Sequence, residues 1–383
     1  MPCGFDVNVN VNERMLTESR PMHPTHSMPD YPLGQTLPET GHTLEVAPGV
    51  HWLRMGLPFA LDHINLWLLR DTLPAPDQSE RRREGWTVVD CGIDNPATRQ
   101  AWQQIEANVL QGLPVLRVIV THMHPDHMGL AHWLCERWQA PLWMSTTEYQ
   151  AALLASGGKL GFGSELASRF FASHGWTREA DQHIVREHVN DYAAMVPQVP
   201  PTHVRLIDGM HLHIGDRAWR CLSGLGHSPE HMALLCEDEP IFISGDMLLP
   251  SISSNVSVHA QEPDGNPLGH FLNALTRMQS LPAGVLTLPS HGRPFVGAHA
   301  RLAQLQAHHE ERLQELLQAC CAGPRSAHEL LGVLFKRALN PQQMAFAMGE
   351  AVAHLNALWH EGRLTRQRNT LDGIYRFQTV ESH

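Results

Sequence analysis

Thr121-His-Met-His-Pro-Asp-His-Met-Gly129 places His122, His124, Asp126 and His127 within six consecutive positions. Imidazole nitrogens and a carboxylate so close together are the donor set of a divalent transition metal. Packing has no use for such a cluster, and burying it without a cation leaves several polar groups costly to satisfy. A single histidine would carry no such weight in a chain with 27 of them. The preceding apolar run, Val115 to Val120, reads as a buried strand, and Pro125 suits the first turn of a helix continuing through Met128, Leu130 and Trp133. His122 and His124 face the same way on an extended segment, because side chains alternate with period two, so they can share one ion. Asp126 and His127, past the proline, face a second position, and two ions are expected.

Further donors stand at strand ends. Gly224-Leu-Gly-His227-Ser-Pro-Glu-His231 follows the apolar stretch Trp219 to Leu222, Ile241-Phe-Ile-Ser-Gly-Asp246 ends a strand on a carboxylate, and Val285-Leu-Thr-Leu-Pro-Ser-His291-Gly292 ends another on a histidine. Each donor lies near a glycine, which lets the backbone come close. Val88-Val-Asp90-Cys-Gly92 ends a strand where Asp90 can hydrogen-bond to the metal-binding turn and orient it. Its alternative role is to cap a helix over Asn95 to Gln111.

The elements that must position these residues are short. Strands are expected over Thr43 to Val46, Val50 to Met55, Ile64 to Leu69, Trp86 to Val89, Ala140 to Met144 and again from His203 through Ile243, with a helix over Thr146 to Ala155. Asp77 to Glu84 reads as a solvated hairpin tip. A helical insertion over about 158 to 200 carries Phe162, Phe170, Phe171, Trp176 and Tyr192, either as core or as the lining of an apolar pocket in a lid or oligomer face. Residues 1 to 40 read as a flexible arm, with Met15, Met22 or Met28 as alternative starts.

With 383 residues, a large catalytic domain over 41–297 and a smaller one over 298–383 are expected. The net charge of -11 argues against bulk attraction to nucleic acid or an anionic membrane. Seven cysteines, an odd number without Cys-x-x-Cys spacing, suit reduced thiols. No export signal and no long apolar run is seen, so a cytoplasmic location without membrane contact is expected.

On these motifs, over roughly 43 to 297, the sequence resembles the metallo-β-lactamase fold superfamily. The resemblance implies an α/β (α+β) fold, a four-layer αββα sandwich whose motif loops meet at one edge. It assigns His122, His124 and His227 to one metal and Asp126, His127 and His291 to the other, with Asp246 bridging and Asp90 as the family's early aspartate. Antibiotic-cleaving members look exported and usually carry cysteine where Asp246 stands. Flavodiiron members have glutamate at the position of His124, persulfide-dioxygenase relatives bind one iron with fewer ligands, and β-CASP nucleases insert a domain for which this chain has no room. Glyoxalase II-like and lactonase-like hydrolases remain, with lactamase-like RNA endonucleases that carry a short C-terminal extension.

The extension here reads as a helix over 299 to 322, a second from the capping box Ser326/Glu329 through Leu339, a third over Gln342 to Glu361, and a hairpin of Arg363 to Gln367 with Ile374 to Gln378. That order, with Ala353-His-Leu-x-x-Leu358-x-x-x-Gly362, resembles a winged-helix-like domain. Its nine Lys or Arg against eight Asp or Glu give it no basic excess, so docking or homodimerisation fits it better than reading nucleic acid.

Two adjacent ions, zinc ahead of manganese or iron, imply a bridging hydroxide that attacks a small ester, thioester or lactone, with Asp126 orienting it or moving its proton. The segment Ser251 to Asn266, with Ser253, Ser254, Asn255 and His259, offers polar contacts to such a substrate. The alternative is phosphodiester cleavage in single-stranded RNA, for which Lys159, Arg169 and Arg293 are the available cations. A third reading, a metal-binding scaffold without activity, is opposed by the complete ligand set. Each reading requires His227, Asp246 and His291 to lie within ligand reach of the histidine-rich turn.

Overall fold

The computed structural model describes residues 29–74, 82–158, 164–187 and 191–380. The first half builds one sheet from β1 (Leu44–Ala47), β2 (Val50–Gly56), β3 (His63–Pro74), β4 (Arg82–Val89), β5 (Val115–Ile119), β6 (Leu142–Ser145) and β7 (His203–Leu206), in that order. β1 to β4 are antiparallel, whereas β4 to β7 are parallel. α1 (Pro96–Asn108), α2 (Pro125–Met128), α3 (Ala131–Trp138) and α4 (Thr146–Ser156) lie between these strands. They are followed by α5 (Glu165–Ser173), α6 (Glu179–Glu187) and α7 (Asp191–Met195). The second sheet runs β12 (Leu286–Pro289), β11 (Ile241–Gly245), β10 (His231–Cys236), β9 (Arg217–Gly224) and β8 (His211–Ile214) across its width. After α8 (Pro267–Arg277) and β12, the chain continues as α9 (Ala298–Cys320), α10 (Ala327–Leu334), α11 (Pro341–His360) and the hairpin of β13 (Leu364–Arg368) and β14 (Tyr375–Thr379).

Alternation along the strands dictates the layering. On β2 and β3, Val50, Trp52, Trp67 and Leu69 face the second sheet and meet Trp219, Met232, Leu234 and Ile243 from it. Their neighbours Leu53, Met55, Leu66 and Leu68 point the other way, onto Trp102 and Ile105 of α1 and Leu134 of α3. A strand buried on both faces needs such a near-continuous apolar run. On the second sheet Ala233, Leu235 and Phe242 face outward onto Phe271 and Leu275 of α8 and Leu302 and Leu305 of α9. The result is the expected αββα sandwich.

Length and boundaries differ from expectation in instructive places. β3 and β4 run well beyond the expected ends, and Arg82 to Glu84, read as part of a solvated tip, extend β4, where they pair with Thr72 to Pro74. Residues 75–81 lie outside the described residues. The expected helix after Pro125 is interrupted at Gly129 and Leu130 and resumes as α3. Asn95 caps α1 by accepting from Thr98 N at 2.7 Å, so the capping role weighed for Asp90 falls to Asn95. α10 keeps its capping box but ends at Leu334, short of the expected Leu339.

The insertion is core. Phe170, Phe171 and Trp176 are buried with α10 and α11 in one apolar cluster, and Tyr192 packs in the cluster beneath the first sheet. The pocket-lining alternative therefore fails for these four, and Phe162 lies outside the described residues. Residues 1–28 also lie outside them. Within the expected arm Asp30 exchanges backbone hydrogen bonds with Val296, and Tyr31 lies under the Arg293 guanidinium. The six described cysteines are free thiols, and Cys3 lies outside the described residues. Among the described residues no helix is long and apolar enough to cross a membrane.

A buried ion pair clips the two sheets together. Asp71 on β3 accepts from Arg117 Nε on β5 at 2.8 Å, from Thr87 Oγ1 at 2.6 Å and from the backbone N–H of Gly215 at 2.8 Å, while Arg117 Nη2 donates to the carbonyl of His213 on β8. Both side chains are almost wholly buried. Removing one partner strands the other's charge, and Asp71→Ala is expected to cost about 3–5 kcal/mol in denaturant unfolding of the full chain.

Candidate metal centre

Parallel pairing brings the donors to one edge. β4 and β5 end there shortly before Asp90 and Thr121, and β11 and β12 end there just before Asp246 and Ser290. β9 runs alongside in the same sense, so the turn leaving it delivers His227. The N–H of Met232 donates to the carbonyl of Thr121 at 2.8 Å, stitching the two sheets at this edge.

All seven residues singled out as donors converge. His122, His124, His227 and Asp246 form one group, and Asp126, His127 and His291 another, each with its donor atoms within 4.8 Å of one another. His122 Nε2 lies 2.9 Å from His124 Nδ1 and 3.3 Å from His227 Nε2. Asp246 stands between the groups. Its Oδ2 is 3.3 Å from His227 Nε2 and 4.0 Å from His122 Nε2, and its Oδ1 is 3.5 Å from both His127 Nε2 and His291 Nε2. Asp126 Oδ2 lies 3.6 Å from His127 Nε2 and 3.4 Å from His291 Nε2. Donors bound at about 2.1 Å in tetrahedral geometry stand roughly 3.4 Å apart, so these spacings are those of ligands around a cation. His127 Nε2 and Asp246 Oδ1 are buried without a hydrogen-bond partner, as donor atoms awaiting an ion would be.

On His122, His127, His227 and His291 the ring nitrogen that faces away from the centre is tied down. His227 Nδ1–H donates to the carbonyl of Asn255, and His291 Nδ1–H to the carbonyl of His63, both at 2.8 Å. His127 Nδ1–H donates to Asp90 Oδ2 at 2.8 Å. Thr121 donates its hydroxyl to Asp90 and lies 3.1 Å from His122 Nδ1, which can donate to it. A carbonyl or carboxylate can only accept, so on His127, His227 and His291 the proton sits on Nδ1 and the Nε2 lone pair faces inward. Asp90 also accepts from the Thr121 N–H at 2.8 Å. It does so from a left-handed backbone, φ 62°, a conformation a non-glycine residue adopts at a cost of about 1 kcal/mol or more.

Electrostatics divide the site. Burial disfavours a proton on His122, whose pKa falls well below the ordinary imidazole value, and burial takes His124 to about 3. Burial opposes a proton on His127 too, yet the charges of Asp90, Asp126 and Asp246 hold that pKa well above the ordinary value. His291, again against burial, is raised by Asp246 and Asp126 to about 10. Against its own burial, Asp126 is held at about 2 by His127 and His291. Ionised carboxylates thus demand positive charge at the centre, and the inward lone pairs suit a divalent ion as its source.

Three contributors escaped the sequence reading. His231, fully buried, accepts from the Asp246 N–H on Nε2 at 3.2 Å; Gly245, at φ 54°, makes room, since a Cβ there would lie 2.1 Å from that nitrogen. Glu148 on α4 accepts from Met123 N at 2.8 Å and from Ser228 Oγ and Glu230 N at 2.6 Å, joining two ligand-bearing turns. His63 accepts from Gly292 N at 2.8 Å and holds the His291 turn. The His231 motif was visible, but nothing in it separates a ligand from a support.

The chain matches the family described as "Metallo-beta-lactamase superfamily" over residues 80–291 and "Metallo-beta-lactamase-like, C-terminal domain" over residues 313–380. It belongs to the metallo-β-lactamase superfamily and is a metal-dependent hydrolase with a His/Asp metal-binding cluster. It is similar to a solved beta-lactamase domain protein from Burkholderia ambifaria, with 48% identity, 92% of this chain and 98% of that one covered, and a TM-score of 0.84. The metallo-beta-lactamase family protein TTHA1429 from Thermus thermophilus is 29% identical, covers 88% of this chain and 100% of its own, and gives a TM-score of 0.70. A curated relative, "Probable metallo-hydrolase YqjP" of Bacillus subtilis, is 22% identical over 82% of this chain and 93% of its own length.

Asp90→Asn keeps the shape but replaces an acceptor of several N–H and O–H groups with an amide that must donate on one side. Zinc affinity measured by competition with a chromophoric chelator is expected to fall roughly 10–100-fold.

Proposed function

We propose that the centre is binuclear and hydrolyses a small ester, thioester or lactone. The observation that carries the first part is the carboxylate of Asp246, which turns one oxygen to each ligand group. His122, His124 and His227 would hold one ion and Asp126, His127 and His291 the other, with Asp246 shared and zinc ahead of manganese or iron. When bound, such ions supply Lewis acidity for a substrate carbonyl and lower the pKa of water to about 7.

The chain's own groups do the rest. Asp126 is held ionised, and its side chain keeps 18% exposure while those of His127 and His291 are almost fully buried, so it can orient a water on the solvent side and carry its proton outward. The outward nitrogens of His127, His227 and His291, locked by Asp90, Asn255 and His63, keep the inward lone pairs aimed without reorganisation during reaction.

A small uncharged or weakly charged electrophile is favoured over RNA by the fate of the cations. Arg169 pairs with Glu165, and Arg293 stacks on Tyr31 and donates to the carbonyl of Gly34; Lys159 lies outside the described residues. In the terminal hairpin Arg366 pairs with Asp264 between Trp359 and Tyr375, and Arg376 pairs with Asp372. A nucleic-acid surface would present such cations to phosphates.

The test is parallel assay of a thioester, a lactone and a short single-stranded RNA, each with and without chelator, together with metal analysis of the wild type, His122→Ala and Asp246→Ala. Turnover of thioester or lactone that chelation abolishes, with metal lost from both variants, is expected. Full activity after chelation, or normal metal content in both variants, would end this reading; RNA cleavage that fades with salt would replace the substrate class.

A further inference from the structure

The segment between β11 and α8 runs past the metal centre, yet its shape is imposed from the other side, by α9 and α11. At its start Arg301 of α9, itself buried, donates from Nε to the carbonyl of Leu249 and from Nη2 to that of Ile252, both at 2.8 Å. In the middle, Val258 N donates to the carbonyl of Gly349 on α11 at 3.1 Å. The two backbones approach so closely that a Cβ at position 349 would meet Ser257 Oγ at 2.7 Å and Cβ at 2.8 Å. At its end the fully buried amide of Asn356 donates to the carbonyls of Pro263 at 3.1 Å and Gly265 at 2.9 Å, and His360 Nε2–H donates to that of Asp264 at 2.7 Å.

The opposite side of this segment touches two candidate ligands. Ser254 donates its hydroxyl to the backbone carbonyl of Asp246. The carbonyl of Asn255 accepts the Nδ1 proton of His227, and Ser257 Oγ donates to Asn255 Oδ1 at 2.7 Å, fixing that residue in place. The tautomer and aim of His227 therefore depend on a backbone carbonyl in a segment that has no secondary structure of its own and is gripped at start, middle and end by two helices.

The geometry points to the C-terminal helices as a positioning device for the metal centre: α9 and α11, through Arg301, Gly349 and Asn356, set the segment that orients His227 and supports Asp246. These residues are not among the candidate ligands and act only through the segment. The inference rests on the metal-centre reading above and gives the C-terminal extension a task within this chain.

The test uses full-length Asn356→Leu, Gly349→Val, Arg301→Met and Arg301→Lys, with zinc alone as the probe in competition titrations and cobalt(II) alone for visible spectra. Wild type is expected to take up two equivalents. In Asn356→Leu, Gly349→Val and Arg301→Met one equivalent weakens roughly 10–100-fold, the loss seen when a group orienting a metal-bound histidine is removed. The cobalt bands of that equivalent shift, while metal-free unfolding stays a single transition. Arg301→Lys, which keeps a buried donor for both carbonyls, restores part of the affinity and guards against a variant that fails to fold. Folded variants that bind both equivalents with wild-type affinity and wild-type cobalt spectra overturn this inference alone. Wild type that binds no zinc overturns it together with the metal-centre reading.

Discussion

The carboxylate of Asp246 is the constraint on which the site depends. It lies among the inward nitrogens of His122, His227, His127 and His291, with Asp126 and Asp90 close behind. Buried carboxylates beside imidazoles whose own protons are disfavoured by burial make an arrangement that only added positive charge relieves. The charges of Asp90, Asp126 and Asp246 favour positive charge on His127, as those of Asp246 and Asp126 do on His291, and both rings are among those a cation would take.

Holding that arrangement takes structure from every layer. Asp90 accepts a strained backbone to grip Thr121 and His127; His231 and Gly245 set the approach of Asp246; Glu148 ties the turn after β5 to the turn after β9. Each of these side chains is buried, and Asp90, His231 and Glu148 each hydrogen-bond to backbone or to another site residue. The donors therefore meet with their orientation already determined, and the Asp71–Arg117 clip keeps the two sheets that carry them in register.

The C-terminal helices extend the same logic. They share one apolar cluster with α8, the outer face of the second sheet and the helical insertion, so Phe170, Phe171 and Trp176 serve packing. The hairpin's arginines are spent on Asp264, Asp372 and aromatic faces, in keeping with a balance of nine basic against eight acidic residues over 298–383. Charge, more than resemblance of helix order, is what distinguishes a docked extension from a reader of nucleic acid.

Local sequence was enough to reveal the dense donor turn, the strands that end on Asp90, Asp246 and His291, the two-faced apolar runs of β2 and β3, and the capping box at Ser326, because each is written in residue type and short-range period. The resemblance implies how the donors divide into two groups. Tertiary structure alone decided the rest: that Asn255 orients His227 through a carbonyl, that Glu148, His63 and His231 support the site, and that the aromatic insertion is core. Those roles lie in backbone hydrogen bonds and contacts between residues far apart in the chain, as with His291 and His63, 228 positions away. A residue's type does not encode which distant carbonyl its side chain will meet; only the paths of the strands and helices between them do.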